Sequence, residues 1–360
     1  MKPIRILVDS FADAGLLNAQ MGNAREIISR LDPERFHVSM FAMGEPDARI
    51  AARKNTRLIQ LPRRKQTVRI LSEFLWGSHE LVFYLKAAPA SRAYCSLRRR
   101  WRDSRIIVGT VESQCDFRNE PTIKPESIRL WEQTILACDY LFSNSPSVRR
   151  SLRCEYGLSS TVISTGVDTG FFSPSDRAAN RRVQVLFAGS LRAFKQPDFL
   201  LSAAAQFPQA DFRIAGDGPM APELTSRIEC ENLRNAALLG PLDAEALRRE
   251  YRNADIFLFP SKWEGSPKVI LEAAACGLPV IARANYLPES VVHESTGFQA
   301  TSDDDLFSYL RLLIENGDIR NSFGRAGREH SKKFDWDVVT QEWARTFAEI
   351  ATERALKRAS

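Results

Sequence analysis

The segment at residues 259–281 constrains the fold of this chain more than any other part of the sequence. A short apolar run ending at Phe259 suits a buried parallel strand, and Val280 begins another such run. Between them, residues 269–276 are mostly helix-forming, and Gly277 with Pro279 ends the helix. Ser266 is the expected N-cap, with Pro267 at the first helical position, where a missing N–H costs nothing. The segment therefore predicts a strand, a loop, a helix and a second strand.

The start of this predicted helix has the chemistry of a phosphate site. The first backbone N–H groups of a helix lack internal partners, and the helix dipole is positive there. Lys268 and Val269 would offer these N–H groups, and the Lys268 side chain adds a charge. Glu264 lies before the site and Glu272 after it, and an ionised carboxylate accepts paired hydrogen bonds from a vicinal diol. A phosphate between two polyols describes a nucleotide sugar.

Glu264 and Glu272, eight residues apart, resemble the E-x7-E motif of the retaining GT-B glycosyltransferases of family 4. The similarity extends through residues 264–280, well beyond two glutamates, and covers residues 160–345 strongly and 1–159 only in general layout. It implies an α/β fold of two Rossmann-like domains facing each other across a cleft, with a C-terminal helix crossing back to the N-terminal domain. The implied reaction is transfer of a sugar from a nucleotide diphosphate sugar to an acceptor hydroxyl, with retention at the anomeric carbon.

Length and patterning agree with two domains. The chain has 360 residues, more than the roughly 250–300 at which one core usually stops growing. Strands and helices alternate through the first half, which predicts a parallel sheet whose ligands bind outside the carboxyl ends of the strands. The predicted division is an acceptor-binding domain at residues 1–170, a donor-binding domain at 171–334, and a returning helix at 335–360.

The resemblance assigns roles to individual residues of the donor-binding domain. In the family, a loop after that domain's first strand carries an arginine and a lysine that hold the diphosphate, and Arg192 and Lys195 fall on those positions. Two fixed cations favour departure of a diphosphate. Glu264 is expected to hold sugar hydroxyls, Glu272 the ribose diol, and the backbone near Gly240 the base. The complete donor-binding prediction is Gly15, Gly189, Arg192, Lys195, Gly216, Gly218, Gly240, Pro241, Leu242, Glu264, Gly265, Ser266, Pro267, Lys268, Val269 and Glu272.

Two predicted site residues lie in the N-terminal half. Gly15 is the single glycine of a loop that is often glycine-rich in the family. Glu112 follows a predicted strand at residues 105–111, where many family members place a histidine that points at the sugar. None of the four histidines falls at such a position, so the chain departs here from the family pattern, and Glu112 is the candidate for the sugar or acceptor contact. The residues predicted to take part in catalysis are therefore Glu264, Arg192, Lys195 and Glu112.

The composition and short motifs limit which cofactors and which cellular location we expect. The apolar part of the N-terminus is too short for a signal peptide and no run of eighteen apolar residues exists, so a cytoplasmic protein is expected. The six cysteines show no C-x-x-C or metal-ligand spacing, which is typical of free thiols. Asp335-Trp336-Asp337 spells D-x-D but precedes a long amphipathic pattern, which favours a helix N-terminus over a metal site. No metal or other cofactor is expected.

The charge distribution leaves the partners open. The net charge is +6, basic residues predominate in the first 170 residues, and basic clusters lie at residues 63–65 and 98–102. Solvated helix faces, an anionic membrane surface and an anionic acceptor all explain these clusters, whereas no nucleic-acid motif accompanies them. The sequence does not name the acceptor, and a sugar, a lipid-linked acceptor and a small-molecule acceptor are all expected candidates. Two other functions remain open: a nucleotide-sugar epimerase on the same fold, and a catalytically silent nucleotide-binding protein.

Overall fold

The computed structural model describes residues 2–15, 19–101, 105–113, 124–175 and 182–359. The chain forms two compact units. Unit 1 combines Met1–Ser164 with Trp336–Ser360, and unit 2 is Thr165–Asp335. The sequence predicted domain boundaries at residues 170 and 334, and the structure places the two crossings after residues 164 and 335.

Unit 1 is built on one parallel sheet with helices between its strands. The strands are β1 (Ile4–Phe11), β2 (Phe36–Ala42), β3 (Thr56–Gln60), β4 (Leu81–Phe83), β5 (Ile106–Val111), β6 (Tyr140–Ser143) and β7 (Thr161–Val162). The helices in this part of the chain are α1 (Ala19–Arg30), α2 (Ala48–Ala52), α3 (Gln66–Trp76), α4 (Pro89–Trp101), α5 (Pro125–Ile135) and α6 (Pro146–Tyr156). The strand order is β3-β2-β1-β4-β5-β6-β7.

Both faces of this sheet are buried, as parallel sheets require. Successive side chains of a strand point to opposite faces, so Ile6 and Val8 of β1 face one way and Leu7 the other. The first pair packs with α1 through Ile27 and Ile28. Leu7 belongs to the second cluster, which includes side chains of α3 and α4. The alternation of strands and helices predicted from the sequence is confirmed.

Unit 2 repeats this architecture on a second parallel sheet. The strands are β8 (Gln184–Ala188), β9 (Asp211–Ala215), β10 (Ala236–Gly240), β11 (Ile256–Phe259), β12 (Val280–Arg283) and β13 (Gly297–Ala300). The helices are α7 (Asp198–Gln206), α8 (Ala221–Cys230), α9 (Ala244–Asn253), α10 (Lys268–Ala275), α11 (Asp303–Glu315) and α12 (Gly317–Ser331), with short 3-10 turns at Ala193–Lys195 and Lys332–Phe334. The strand order is β10-β9-β8-β11-β12-β13.

The last helix, α13 (Trp336–Ala359), returns to unit 1 and packs beside α1. Its buried side chains recur every three or four residues, which places them on one face of the helix. The Trp343 ring lies with its centroid 4.8 Å from Phe83 of β4 and 4.9 Å from Phe142 of β6. The predicted return of a C-terminal helix to the N-terminal domain is therefore confirmed. The residues that make this contact are Trp336, Val339, Trp343, Phe347 and Ile350.

Each sheet has one point at which the strand order reverses. In unit 1 the chain builds outward from β1 to β3 and then resumes on the other side of β1 with β4. In unit 2 it builds from β8 to β10 and resumes beside β8 with β11. The loops that leave the two neighbouring strands diverge at such a point and open a crevice at their carboxyl ends, where ligands of α/β sheets bind.

The structure differs from the sequence analysis at two places. Helix α10 begins at Lys268 with Pro267 in extended conformation before it, so the predicted N-cap at Ser266 is wrong. Pro267 has no backbone N–H, so no backbone hydrogen bond is lost when it is the residue directly before the helix. The short helix α2, capped by the Asp47 side chain, was not predicted.

In the ranges that the structure describes, no helix combines the length and apolar character needed to cross a membrane.

Candidate active site

The predicted donor-binding residues of unit 2 lie at the carboxyl ends of four neighbouring strands. Backbone hydrogen bonds join the loops that leave β8, β9 and β10. Gly189 N–H donates to the Ala215 carbonyl at 3.0 Å, and Gly216 N–H donates to the Gly240 carbonyl at 2.8 Å. Leu191 N–H donates to the Asp217 carbonyl at 2.9 Å. The loops therefore form one continuous rim at this edge of the sheet.

The two glycines of the Gly216-Asp217-Gly218 turn permit this close approach. Gly216 has a φ of +139°, and a Cβ there would collide with the carbonyl oxygen of Gly189. A Cβ on Gly218 would lie 2.6 Å from the carbonyl oxygen of Leu191. Only glycine fits both positions. The motif thus draws the β9 loop against the β8 loop that carries Arg192 and Lys195.

The loop after β11 joins the same rim. Lys262 N–H donates to the Phe194 carbonyl at 2.8 Å. The ring of Trp263 stacks on that of Phe194 with centroids 4.3 Å apart and planes inclined by 17°. Offset stacking of this kind adds about 0.5–1.5 kcal/mol beyond burial. The contact holds Glu264, the residue after Trp263, next to the β8 loop.

Lys195 and Glu264 form an ion pair at the point where the strand order reverses. The Lys195 ammonium donates to Glu264 Oε1, and the two side chains are only 15% and 13% exposed. Ser261, which is fully buried, donates from its Oγ to the same carboxylate oxygen at 2.7 Å. The Lys195 Nζ also lies 5.1 Å from the centroid of the Phe259 ring. The sequence named both charged residues but not their contact, and it assigned no role to Ser261.

Arg192 lies three residues before this pair and is exposed. Its backbone is extended and precedes the 3-10 turn that carries Lys195. Lys195 N–H donates to the Arg192 carbonyl at 2.9 Å, which ties the two residues into one turn. The Arg192 guanidinium has no hydrogen-bond or ion-pair partner within the described part of the chain. The rim therefore carries one paired cation and one cation that faces solvent.

The amino end of α10 borders the same loop. Lys268 and Val269 are its first residues, half-buried, and Ile270 N–H donates to the Pro267 carbonyl at 3.2 Å. Gly265 is buried and Ser266 half-buried in the loop that leads to this end. The first amides of a helix carry the positive end of its dipole. The helix start predicted from the sequence is therefore present at Lys268, and its use as a phosphate site stays a prediction.

Glu272 lies one turn further along α10 and is held by a residue that the sequence did not indicate. The hydroxyl of the fully buried Tyr251, from α9, donates to Glu272 Oε2 at 3.0 Å. Burial raises the pKa of Glu272, while the Tyr251 hydrogen bond and the charge of Lys268 act in the opposite direction. Burial also raises the pKa of Tyr251 well above its ordinary value, so its hydroxyl stays a donor. One carboxylate oxygen is therefore fixed by the protein.

Arg283 at the end of β12 is a second supporting residue that the sequence missed. It is buried, and its Nε donates to the Pro260 carbonyl at 2.8 Å and to Gln196 Oε1 at 2.9 Å. Its Nη2 donates to Asp303 of α11. Arg283 thus ties the β11 loop to the end of the β8 loop. A cavity of about 390 Å³ lies beside it, and none of the predicted donor-binding residues lines that cavity.

The remaining residues of the donor prediction occupy less constrained positions. Gly240 has a φ of +69° with open space where a Cβ would lie, Pro241 is exposed, and Leu242 packs partly on the core of unit 2.

Among the residues that the structure describes, no group of three or more His, Cys, Asp or Glu side chains is arranged to hold a metal ion.

Gly15 and Glu112 belong to unit 1. Gly15 is exposed, and nothing lies within 4 Å of the place where its Cβ would be. The Glu112 carboxylate accepts from the Tyr84 hydroxyl and, at 3.0 Å, from Asn23 Nδ2. Tyr84 has a φ of +60°, a conformation that tyrosine rarely adopts. Glu112 is thus already engaged by two side chains of its own unit.

A family model and several known sequences match this chain. Residues 170–330 match the family model described as Glycosyl transferases group 1. Over 240 residues the chain is 30% identical to D-inositol 3-phosphate glycosyltransferase of Kribbella flavida, which covers 58% of this chain and 56% of that protein. It is 29% identical over 191 residues to sulfoquinovosyl transferase SQD2 of Arabidopsis thaliana, 49% of this chain and 37% of that protein. The chain thus spans about half or less of the length of these two relatives.

Solved structures match the chain over nearly its whole length. Sucrose-phosphate synthase from Thermosynechococcus elongatus superposes with a TM-score of 0.78 at 19% identity, covering 98% of this chain and all of that one. Anabaena HepE in complex with UDP-glucose superposes with a TM-score of 0.76 at 17% identity, covering 96% of this chain and all of that one. At such identities the likeness concerns the fold, and it confirms the predicted GT-B class of two Rossmann-like domains.

Proposed function

We propose that the chain belongs to the glycosyl transferases group 1 family, whose model matches residues 170–330, and that it transfers a sugar from a nucleotide diphosphate sugar to an acceptor hydroxyl. The observation that carries the proposal is the Lys195–Glu264 pair at the strand reversal of unit 2, beside the amino end of α10. A cation, a carboxylate and the amino end of a helix within one rim complement a diphosphate joined to a polyol. HepE, which shares the fold, was solved with UDP-glucose, and this favours a UDP-sugar over a GDP-sugar as the first donor to test.

The residues of the rim have separate roles in this proposal. Arg192, Lys195 and the amides of Lys268 and Val269 stabilise the departing diphosphate, and Glu264 with the loop 265–267 holds sugar hydroxyls. Glu272, fixed by Tyr251, accepts from the ribose diol. Gly189, Gly216 and Gly218 bring the backbone close to the nucleotide, and Gly240, Pro241 and Leu242 face the base. Gly15 and Glu112, which belong to unit 1, are assigned to the site by the family resemblance alone.

The chemical step proposed is a front-face displacement with retention, as in family 4. The bond between the anomeric carbon and the diphosphate oxygen breaks, and the acceptor oxygen forms the new bond on the same face. The acceptor proton passes to the leaving phosphate, giving a glycoside and a nucleoside diphosphate. Arg192 and Lys195 place fixed positive charges next to the negative charge that develops on the departing diphosphate, a role worth roughly 10²–10³ in rate for one well-placed donor. No metal ion is assigned a part in this step.

We further assign the acceptor to polysaccharide, glycolipid or other glycoconjugate biosynthesis, with the chain working beside a membrane. The surface formed by the start and end of α3 supports this. Trp76 is 75% exposed and Val68 is 64% exposed, and the basic residues 63–65 precede Val68 in the sequence by three to five positions. Exposed aromatic and basic groups together bind anionic bilayers. Arg98, from the second basic cluster, instead pairs with Asp139.

Vesicle sedimentation tests the membrane part of the proposal. The chain should sediment with phosphatidylglycerol vesicles at low salt and not with phosphatidylcholine vesicles. Trp76→Ser should reduce the bound fraction, whereas Leu136→Ser, at another exposed apolar side chain of unit 1, should not. Equal sedimentation with both lipids, or with none, would contradict the assignment of an anionic membrane surface.

A thermal-shift screen against nucleoside diphosphates and their sugars tests the donor assignment. A ligand that binds only the folded state raises the melting temperature by an amount that grows with the logarithm of its affinity, so at equal concentrations the true donor should give the largest shift. Glu272→Ala should weaken nucleotide binding by roughly 2–4 kcal/mol, because both ribose hydrogen bonds are lost. Glu315→Ala, an exposed glutamate of the same unit, is the matched control. Unchanged nucleotide affinity in a folded Glu272→Ala variant would contradict the ribose assignment.

Turnover assays separate the proposal from the two other functions. A transferase releases nucleoside diphosphate and forms a new glycoside only when an acceptor is present. An epimerase converts the donor sugar without an acceptor, and a silent protein binds nucleotide but never cleaves the donor. Either of the latter outcomes, obtained with a bound donor and a broad acceptor panel, would overturn the transferase proposal.

A further inference from the structure

The loop that follows β12 runs beside the loop that follows β11 in unit 2. The two strands pair in parallel. Beyond them, Arg283 Nε donates to the Pro260 carbonyl at 2.8 Å, and the Asn285 side chain donates to the Lys262 carbonyl. A step of two residues along one loop thus matches a step of two along the other. The residue after Asn285 therefore lies near the part of the β11 loop that leads to Glu264.

Tyr286, the residue after Asn285, carries a buried hydroxyl without a partner. The side chain is fully buried, and its Oη has no hydrogen bond in the described part of the chain. Buried side-chain hydroxyls are nearly always hydrogen-bonded, because an unsatisfied one loses its hydration without compensation. A phenylalanine would fill the same space without this cost. The hydroxyl therefore indicates a partner that it meets in another arrangement of the site.

Two charged side chains act on Tyr286, and only one of them can accept a hydrogen bond. Burial raises the pKa of Tyr286 well above its ordinary value, the charge of Glu264 raises it further, and the charge of Arg283 lowers it. The hydroxyl therefore keeps its proton and needs an acceptor. A guanidinium has donors only, whereas an ionised carboxylate has about four acceptor positions. Of the two, Glu264 is therefore the possible acceptor.

Other donors hold Glu264 in the present arrangement. Lys195 Nζ and Ser261 Oγ both donate to Oε1, and Oε2 has no hydrogen bond to a described residue. In the proposed function, the Lys195 ammonium is drawn to the diphosphate of the donor, and the carboxylate loses its cation. A largely buried carboxylate that keeps a single neutral donor is destabilising. The donor-bound form of the site therefore requires a second hydrogen bond to Glu264.

The backbone around Tyr286 is fixed, so the carboxylate is the group that shifts. Leu287 has a φ of +48°, and its N–H donates to the Ala284 carbonyl at 3.0 Å. The Tyr286 side chain belongs to the core of unit 2. The stacked ring of Trp263 holds the backbone before Glu264, but the glutamate side chain can still rotate about its own bonds. A change of rotamer is enough to exchange one partner for another.

We propose that Tyr286 is a positioning residue for Glu264, and that its hydroxyl donates to the carboxylate when Lys195 leaves for the diphosphate. The inference rests on the proposed function, because it concerns the donor-bound form of that site. Ser261 and Tyr286 then occupy two acceptor positions of the carboxylate, and two remain for a pair of sugar hydroxyls. Lys195 and Tyr286 thus alternate as partners of Glu264.

Thermal denaturation of the full chain tests this exchange without a ligand. Tyr286→Phe alone should leave Tm unchanged or raise it, because the lost hydroxyl had no partner. Lys195→Met removes the cation from Glu264, so Tyr286 should then donate to the carboxylate, and in that background Tyr286→Phe should lower Tm by about 3 °C or more. Tyr94→Phe, at a fully buried tyrosine of unit 1, is the matched control and should change Tm equally in both backgrounds.

Calorimetry tests the role of Tyr286 in donor binding. The probe is UDP-glucose or, if another nucleotide sugar gives a larger thermal shift, that one. Its dissociation constant should rise at least tenfold in Tyr286→Phe, as the loss of one charge-assisted hydrogen bond requires. In the Glu264→Gln background the same change should have an effect of less than about threefold, because the carboxylate is already absent. Tyr94→Phe should leave the dissociation constant unchanged.

The outcomes separate this inference from the proposed function. Equal effects of Tyr286→Phe on Tm with and without Lys195, a lower Tm caused by Tyr286→Phe alone, or unchanged donor affinity in Tyr286→Phe would each overturn the positioning role. Absence of any nucleotide shift in the unmodified chain would instead contradict the donor assignment. The coupling between Lys195 and Tyr286 in Tm would still be measurable in that case, because it needs no donor.

Discussion

Replacing Lys195 by methionine is the most informative single change in the proposed donor site. Lys195 and Glu264 are 15% and 13% exposed, and without the ammonium the carboxylate keeps one neutral donor, Ser261 Oγ at 2.7 Å. Removing one partner of a fully buried pair costs about 3–5 kcal/mol. Because this pair retains some contact with water, we expect a loss of about 2 kcal/mol, which is a fall in Tm of roughly 4–8 °C for a domain of this size.

Activity should fall independently of this loss of stability. If Lys195 stabilises the departing diphosphate, Lys195→Met should lower kcat by roughly 10²–10³. Glu264→Gln removes the charge of the partner while keeping its shape and its acceptor for Ser261. In the Glu264→Gln background, Lys195→Met should cause a much smaller fall in Tm, because the ion pair is already absent. It should still lower kcat by about the same factor.

The double-mutant cycle is measured by thermal denaturation and by release of nucleoside diphosphate from the donor found in the thermal-shift screen. Lys262→Met, an exposed lysine two residues before Glu264, is the matched control and should change neither quantity appreciably. The reasoning is refuted if Lys195→Met has no further effect on kcat once Glu264 is glutamine. In that case Lys195 would act only by holding Glu264.

Three further changes probe the support of the site. Tyr251→Phe removes the hydrogen-bond donor to Glu272 and should weaken nucleotide binding about fivefold, measured by calorimetry. Burial raises the pKa of Glu272 above 4.5, so nucleotide affinity of the unmodified chain should increase as the pH rises through that raised pKa. A pH-independent affinity would contradict the ribose role of Glu272. Gly216→Ala places a Cβ against the Gly189 carbonyl at a φ of +139° and should destabilise the fold by at least about 2 kcal/mol in urea denaturation. Arg283→Met should release the β11 loop and raise the KM for the donor severalfold, and an unchanged KM would show that the loop is held without it.

Much of the fold could be predicted because each element carries its own local signal. The signal for β8 and for β11 is the apolar run that forms the strand itself. The signal that ends α10 is Gly277-Leu278-Pro279, which lies directly after the helix. The Gly216-Asp217-Gly218 turn was predictable for the same reason, since only glycine permits so close an approach between two loops. The predicted cap at Ser266 failed because the sequence allowed two adjacent helix starts and Pro267 decided between them.

The supporting residues could not be predicted because their partners are distant in the sequence. Tyr251 reaches Glu272 from the preceding helix, and Arg283 reaches Pro260 from the next strand. A buried tyrosine and a strand-ending arginine have no periodicity that distinguishes them from ordinary core and surface residues.

The pairing of Lys195 with Glu264 has a consequence for which ligands bind well. A nucleoside diphosphate alone would draw Lys195 away and leave the Glu264 carboxylate with neutral donors only. A free sugar would engage Glu264 and leave the ammonium poorly paired. A nucleotide sugar replaces both halves of the ion pair at once, so we expect its affinity to exceed that of the nucleoside diphosphate by tenfold or more, as two charge-assisted hydrogen bonds would allow. Calorimetry without acceptor measures the two affinities, and Glu264→Gln should reduce the difference between them. Equal affinities for the nucleotide sugar and the nucleoside diphosphate in the unmodified chain would mean that the ion pair persists in the complex and that Glu264 does not touch the sugar.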